Sequence, residues 1–402
     1  MATPSPLTRP VHALALRALC LAAAALLAAC LAGCAAGSAA GSGDGHAFRN
    51  TELGCGWEPV SSLELEAAEH YTIDRYEGGY SLLCISDGSR YLLIPEGKDA
   101  PSGIDPSIAL IKQPVGNVYL AATDTMCLVD ALGVLDSIAL SSIKASDCSV
   151  EGFRTALEDG SIAYGGKYNM PDYELILQTG TTLAIESTMI EHAPDVREQL
   201  TRLGVTVLTE RSSYESTAVG RMEWIKLYGE IFGKQELAKS VYDEQVALVK
   251  ATDSEGPASK NVAFFYINSR GMAVVRQSGD YVPQMIELAG GSYIFKDLSD
   301  NTARSTMNIE MERFYATAQD ADIIIYNTAI DQSPRSIQDL VEKNALLAKL
   351  KAVREGQVWV TSEDMYQQMI RTGDIIADMH AIIAGDPSDS ELAFFKRLKD
   401  MP

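Results

Sequence analysis

The chain has 402 residues, with 33 Lys and Arg against 54 Asp and Glu, for a formal charge of −21. An apolar fraction of 47% and a charged fraction of 22% describe a globular protein long enough for two domains. So acidic a body is not built to bind nucleic acid or an anionic lipid surface through bulk charge; it suits solubility and docking on a basic partner.

Residues 1–33 contain Arg9 and Arg17 and no acid, so their removal takes the remainder to −23. The apolar run Leu19 to Gly33 is short of the roughly 20 residues a bilayer needs and closes on small residues. It reads as a cleaved secretory signal. No later run of apolar residues is long enough to span. Leu31-Ala32-Gly33-Cys34 resembles the lipobox of bacterial lipoproteins. Lipidation at Cys34 would hold the protein on the membrane, because each buried methylene contributes about 0.8 kcal/mol and two or more chains add up. An ordinary signal with an incidental cysteine is the alternative. Residues 34–51, Gly- and Ser-rich at 37–45, read as a flexible tether. The expectation is an extracytoplasmic protein, lipid-anchored to the bacterial cell membrane and touching it through that anchor only.

Cys20 and Cys30 leave with the signal. Cys55, Cys84, Cys127 and Cys148 remain, without the Cys-x-x-Cys spacing of a zinc site. Export permits a disulfide; Cys55 with Cys84 is the first pair to consider, and four free thiols are the alternative.

Residues 52–94 read as a small β-rich module. Strands at Tyr71–Tyr76, Tyr80–Ile85 and Arg90–Ile94 are separated by Glu77-Gly78-Gly79 and Asp87-Gly88-Ser89 turns. Residues 95–232 read as an α/β lobe. Strands are expected at Ile108–Ile111, Val118–Leu120, Ser137–Leu140, Leu183–Ile185 and Val205–Leu208. Helices are expected at Thr123–Leu132 (capped by Thr123 or Asp124), Val150–Leu157, Asp172–Leu177 and Pro194–Leu203. Ser216 can cap a helix over Gly220–Phe232. A linking helix occupies 233–256 and ends at Ser254-Glu255-Gly256-Pro257. A second α/β lobe fills 257–402, with strands at Val262–Ile267, Ile323–Tyr326 and Val358–Val360. Its helices are expected at Tyr281–Ala289 (capped by Asp280), Ile309–Ala318, Ser336–Lys343 and Tyr366–Ile383. The fold class is α/β: two Rossmann-like lobes joined by one long helix, behind a β-rich module and a cleaved lipoprotein signal.

Several stretches carry a family likeness. Ala131-Leu132-Gly133-Val134-Leu135-Asp136-Ser137-Ile138 precedes the second lobe strand. Tyr173-Glu174-Leu175-Ile176-Leu177 forms a short helix, and Glu198 to Val207 runs from helix to strand with Thr206 where proline is usual. Met311-Glu312-Arg313-Phe314-Tyr315 leads to Ala321-Asp322-Ile323-Ile324-Ile325. Their order resembles the helix-hinged (class III) substrate-binding lipoproteins of ABC transporters, of the iron-siderophore, haem and cobalamin type. The likeness covers about residues 105–400; the module at 52–94 lies outside it. It implies a monomer with no intrinsic cofactor that binds a small-molecule metal chelate and delivers it to ABC permease subunits and their ATPase. It also implies that Glu174 and Glu312, one per lobe, face outward as permease-docking carboxylates, with Glu310 competing for the second role. Exposed carboxylates steer and register such docking; a solvated acidic face is the plain alternative.

A cargo between two such lobes sits at the loops beyond the C-terminal ends of the strands. Lys167, Tyr168 and Met170, in the Gly-rich stretch 164–171, offer charge and flat contact. Glu186, Tyr214, Tyr281 and Asn327 follow other strands or open a helix. Arg211, Arg221, Arg270 and Arg276 could clamp carboxylate or catecholate oxygens, with Trp224 one turn from Arg221. For each arginine taken singly, a surface or ion-pair role is the plainer reading. His46 falls in the tether and His70 outside the lobes, leaving His192 and His380, too few for a bare-metal receptor. The leading expectation is therefore a binding protein for an iron chelate, haem or cobalamin, with no catalytic residues. The alternatives are an exported metal-chelate-processing enzyme on the same fold, or a surface adhesin without an inter-lobe pocket. Against the enzyme stand the missing Gly-x-Ser-x-Gly, His-Glu-x-x-His and phosphate-loop motifs.

Overall fold

A computed structural model describes residues 47–253, 260–298, 305–385, 387–388 and 391–399. The signal, Cys34, most of the tether and the helix stop at 254–257 lie outside the described residues.

The chain opens with a five-stranded sheet in the order β1 (Ser61–Ser62), β2 (Tyr71–Arg75), β3 (Ser81–Ile85), β4 (Arg90–Ile94) and β5 (Ala109–Lys112). The first four strands run antiparallel, and β5 joins β4 in parallel. Strand β5 was expected to open the α/β lobe. It extends the module instead, because Ile94 and Ile111 are buried along the shared edge. The continuous apolar run Leu82-Leu83-Cys84-Ile85 follows from burial on both faces. Leu83 and Ile85 join a core shared with the N-terminal lobe, whereas Leu82 and Cys84 face a separate cluster with Leu53, Tyr76 and Tyr80. Cys55, Cys84, Cys127 and Cys148 are free thiols, so the Cys55–Cys84 pair is not formed.

The N-terminal lobe builds a fully parallel sheet. Its strands are β6 (Val118–Leu120), β7 (Ile138–Ser141) and β8 (Ala163–Tyr164), then, after the short hairpin β9 (Gly166–Lys167) and β10 (Met170–Pro171), β11 (Leu183–Ser187) and β12 (Thr206–Glu210). The spatial order is β12-β11-β6-β7-β8. Helices α1 (Met126–Ala131), α2 (Glu151–Glu158), α3 (Tyr173–Gln178) and α4 (Pro194–Arg202) connect the strands. Asp172 caps α3 by accepting the Leu175 N–H at 3.0 Å. Helix α1 has no side-chain cap; a single tight turn over Thr123–Thr125 leads into it.

Helices α5 (Ala218–Phe232) and α6 (Gln235–Asp253) then carry the chain to the C-terminal lobe. Thr217, not Ser216, caps α5. Gly233, at φ 67°, closes α5 in the left-handed conformation that glycine adopts without strain. Helix α5 is buried on every side from Met222 to Ile231, because it is wedged between module, sheet and second lobe.

The C-terminal sheet consists of β13 (Asn261–Ile267), β14 (Ala273–Arg276), β15 (Ser292–Tyr293), β16 (Thr306–Ile309), β17 (Ile323–Tyr326), β18 (Val358–Thr361) and β19 (Phe395–Arg397). Its order is β16-β14-β13-β17-β18-β19, with β15 beside β13. Strands β13, β17 and β18 are parallel, and β14, β16 and β19 are antiparallel additions. Helices α7 (Tyr281–Leu288), α8 (Met311–Ala318), α9 (Ile337–Lys343), α10 (Lys351–Arg354) and α11 (Thr372–Ala384) cover it. Ile309 ends β16 instead of opening α8, and β14, which carries Arg276, is a strand beyond those expected. The chain touches the N-terminal lobe once more just before α11, where Met369 and Ile370 bury in that lobe's core.

Candidate functional site

The two sheets direct the C-terminal ends of their parallel strands at each other. The loop after β6 brings Asp124 to Arg221 on α5, at 3.3 Å, and the Arg221 guanidinium lies 4.2 Å over the Tyr281 ring at the start of α7 in the other lobe. The loop after β7 receives Gln367, whose Oε1 accepts the Ser149 N–H at 2.7 Å while its Nε2 donates to the Asp147 carbonyl at 2.9 Å. After β12, the Ser216 carbonyl accepts from Gln284 of α7 at 2.6 Å. On the C-terminal side, Asn327 follows β17 and donates to the Tyr366 hydroxyl at 2.8 Å, and Arg276 donates to that same hydroxyl while pairing with Asp280 at 3.4 Å. The floor of the crevice is therefore a cross-lobe set of two arginines, their carboxylates and two tyrosines. Burial first, and Asp124 second, push the Glu210 carboxyl up to about 7. Burial also raises the carboxyl of Asp124, against the pull of Arg221.

Above this floor, large side chains stay exposed on loops at the same strand ends. Met170 is 75% exposed, Tyr214 51%, Met189 46% and Tyr164 39% in the N-terminal lobe, and Ile330 54% in the other. Two of the rings carry cations: Lys144 lies 5.3 Å over Tyr164, and Arg211 lies 4.5 Å over Tyr214. Arg211 is held by Glu191 at 2.7 Å. Gly166, at φ 86°, makes the β9–β10 hairpin possible. A Cβ there would stand 2.5 Å from the Met170 carbonyl oxygen. Among the described residues, no three His, Cys, Asp or Glu side chains are grouped to hold a metal ion, and no helix is long and apolar enough to cross a membrane.

The sequence model of the periplasmic binding protein family matches residues 121–365. The chain belongs to the periplasmic binding protein family. Two uncharacterized lipoproteins of Methanocaldococcus jannaschii are similar to it. One is 23% identical over 78% of this chain and 76% of its own length; the other is 24% identical over 81% and 84%. Among solved structures, a periplasmic binding protein from Veillonella parvula superposes with a TM-score of 0.55 at 17% identity, over 67% of this chain and 92% of its own. A periplasmic haem-binding protein of Vibrio cholerae gives 0.53 at 17% identity, over 65% and 97%. These likenesses establish the two-lobe fold. The family match begins at residue 121, beyond the N-terminal module.

In this periplasmic binding protein the residues expected to line the site fall into three groups. Lys167 and Met170 are exposed on the β9–β10 hairpin and Tyr214 and Arg270 on loops, all at the crevice ends of strands, and Tyr168 is half-buried beside them. Arg221, Arg276, Tyr281 and Asn327 form the floor, where the two arginines are committed to Asp124 and Asp280 and are not free clamps. Trp224 and Glu186 do not belong to the crevice. Trp224 is fully buried, donates to Glu215 at 2.7 Å and packs edge-on against Tyr71 at 5.1 Å. Three residues of helix turn it about 60° from Arg221, and on a helix buried all round that places it against the module. Glu186 points to the outer layer of the lobe, where Tyr119, Tyr173 and Arg197 surround it, and neither carboxylate oxygen has a partner. Burial pushes its carboxyl up to about 8.

Sequence reasoning missed Lys144, Ile330 and Tyr366. Each lies within five residues of a strand's C-terminal end, which the strand pattern alone could have flagged. Glu174 and Glu312 are both exposed, each in the first turn of its helix, as is Glu310 just before α8.

Proposed function

We propose that this protein is the cargo receptor of an ABC importer: it captures an iron chelate (a siderophore or haem) or cobalamin between its lobes and hands it to the membrane permease. The reading is supported chiefly by the exposed rim of Tyr164, Met170, Met189 and Tyr214, with Lys144 and Arg211 stacked on two of its rings. Large, adaptable apolar side chains left in water at one mouth suit a bulky cargo with flat faces. Cations resting on aromatic rings offer charge to its anionic groups. Lys167, Tyr168, Arg270 and Ile330 would complete the contact. Glu174 and Glu312 would dock the permease, and a lipid on Cys34 would keep the receptor extracytoplasmic and beside it. The protein acts as a monomer with no cofactor of its own.

Titration with haemin, a ferric tris-catecholate and cyanocobalamin, followed by tryptophan fluorescence, tests the reading. Saturable binding of one of them is expected, with the chelate recovered unaltered by mass analysis. Binding of none by folded protein would refute the receptor role, and a converted chelate would point to the processing enzyme.

A further inference from the structure

The N-terminal module is not a passive spacer. Its segment 69–70 reaches the loop after β12, which carries Arg211 and Tyr214. His70 Nε2 stands 2.9 Å from the Tyr214 carbonyl oxygen, and Nδ1 stands 2.8 Å from Ser86 Oγ. A carbonyl can only accept, so Nε2 bears the proton and a neutral ring takes the Ser86 hydroxyl proton at Nδ1. The His70 and Tyr214 rings also meet edge-on at 6.3 Å. In the other direction, the Glu215 carboxylate accepts the backbone N–H groups of Glu69 at 2.7 Å and His70 at 3.1 Å. Ser216 donates to Glu69 at 3.1 Å. The loop is thus tied to the module at the Tyr214 carbonyl and at the two residues that follow it, and its Ser216 carbonyl is the acceptor for Gln284 of the other lobe.

We propose that the module is a working part of the cargo site: His70, backed by Ser86, braces the 211–216 loop so that Tyr214, with Arg211 on its ring, is already presented when cargo arrives. His70 is a positioning residue in this scheme and touches no cargo. The proposal rests on the receptor reading for what the loop binds, and on the contacts above for the bracing itself. An exposed aromatic on an unbraced loop would have to be ordered during binding, which weakens affinity.

The test uses the full exported protein with His70→Ala and His70→Gln. The Tyr214 and Glu215 amides are bonded within the loop's own turn, to Arg211 and Ser212, so their hydrogen exchange reports its order without any cargo. His70→Ala should speed their exchange about tenfold while the thermal midpoint stays at the wild-type value. It should also weaken haemin, or whichever of the three chelates binds, by about tenfold through faster dissociation. His70→Gln, whose amide N–H can reach the same carbonyl, should restore both. Unchanged exchange in His70→Ala overturns the bracing. A loosened loop with unchanged chelate affinity overturns the link to cargo. If wild-type protein binds no chelate, the receptor reading fails by itself, and the exchange measurement still decides whether the module braces the loop.

Discussion

Glu186 gives the sharpest energetic test of how the N-terminal lobe is assembled. Its side chain is fully buried, both oxygens lack partners, and the charged group facing it is Arg197 of α4. Burial outweighs that arginine and moves the carboxyl from 4.5 to about 8. Between those values the unfolded chain ionises Glu186 while the folded chain keeps its proton, so the folded state binds more protons and stability falls as pH rises. At about 1.36 kcal/mol per pH unit, the 2.5 units between 4.5 and pH 7 cost about 3 kcal/mol. Glu186→Gln keeps the shape and removes the titration. Denaturant melts of both proteins, stepped from pH 4 to pH 9, should give a stability difference that is flat at first. It should then rise in favour of Gln with that slope and level off above pH 8. Glu210 lies across the sheet, with Asp124 and Arg221 facing it, and its titration is common to both proteins and cancels. A constant offset between the two curves would reflect packing alone. A difference curve without slope between pH 5 and pH 8 would refute a protonated Glu186.

Glu223 accepts the N–H groups of Glu66, Ala67 and Ala68 and pairs with Lys226 at 2.7 Å. Glu223→Ala should therefore destabilise the protein by about 3–5 kcal/mol in guanidinium melts, with Glu223→Gln costing less. Gly166→Ala forces a Cβ against the Met170 carbonyl at positive φ. It should cost on the order of 1–3 kcal/mol and weaken chelate binding, while an alanine at exposed Gly88, where no atom lies within 4 Å, should leave binding intact. Glu174→Arg and Glu312→Arg should each reduce uptake in cells without changing chelate affinity in solution, and an equal loss in both assays would remove these residues from docking.

The parallel lobes were legible because their strands are short apolar runs between helix caps that function locally, such as Asp172 and Asp280. The antiparallel additions were not. Strand β14 holds Ala273 to Arg276 behind a hairpin turn, and its burial depends on β16, which is 30 residues further on. Strand β5 could not be assigned either, because its pattern suits both the module and the lobe, and only the pairing with β4 decides. The same holds at the site. Helix spacing placed Arg221 and Trp224 on one face, but a helix enclosed by three partners has no single functional face. Arginines that looked like clamps are balanced by Asp124 and Asp280, and no local pattern announces those pairings. What the sequence does carry is the position of the strand ends, and the exposed rim sits there.

Beside the apolar core that module and lobe share, buried carboxylates join the two, which has a physical reason. Glu215, Glu223 and Glu230 lie along the leading loop and length of α5, and each meets polar groups of the module: backbone N–H groups for the first two, Arg75 and Ser81 for the third. A purely apolar seam could slide with little penalty. A carboxylate out of water must find its donors in one geometry or lose several kcal/mol, so three of them in a row fix the module's register on the helix. That same helix carries Arg221 into the crevice floor. A rotation of the module would therefore leave buried charges unpaired at one end of α5 and disturb the Arg221–Tyr281 contact at the other, and the added domain sets the orientation of the lobe that it covers.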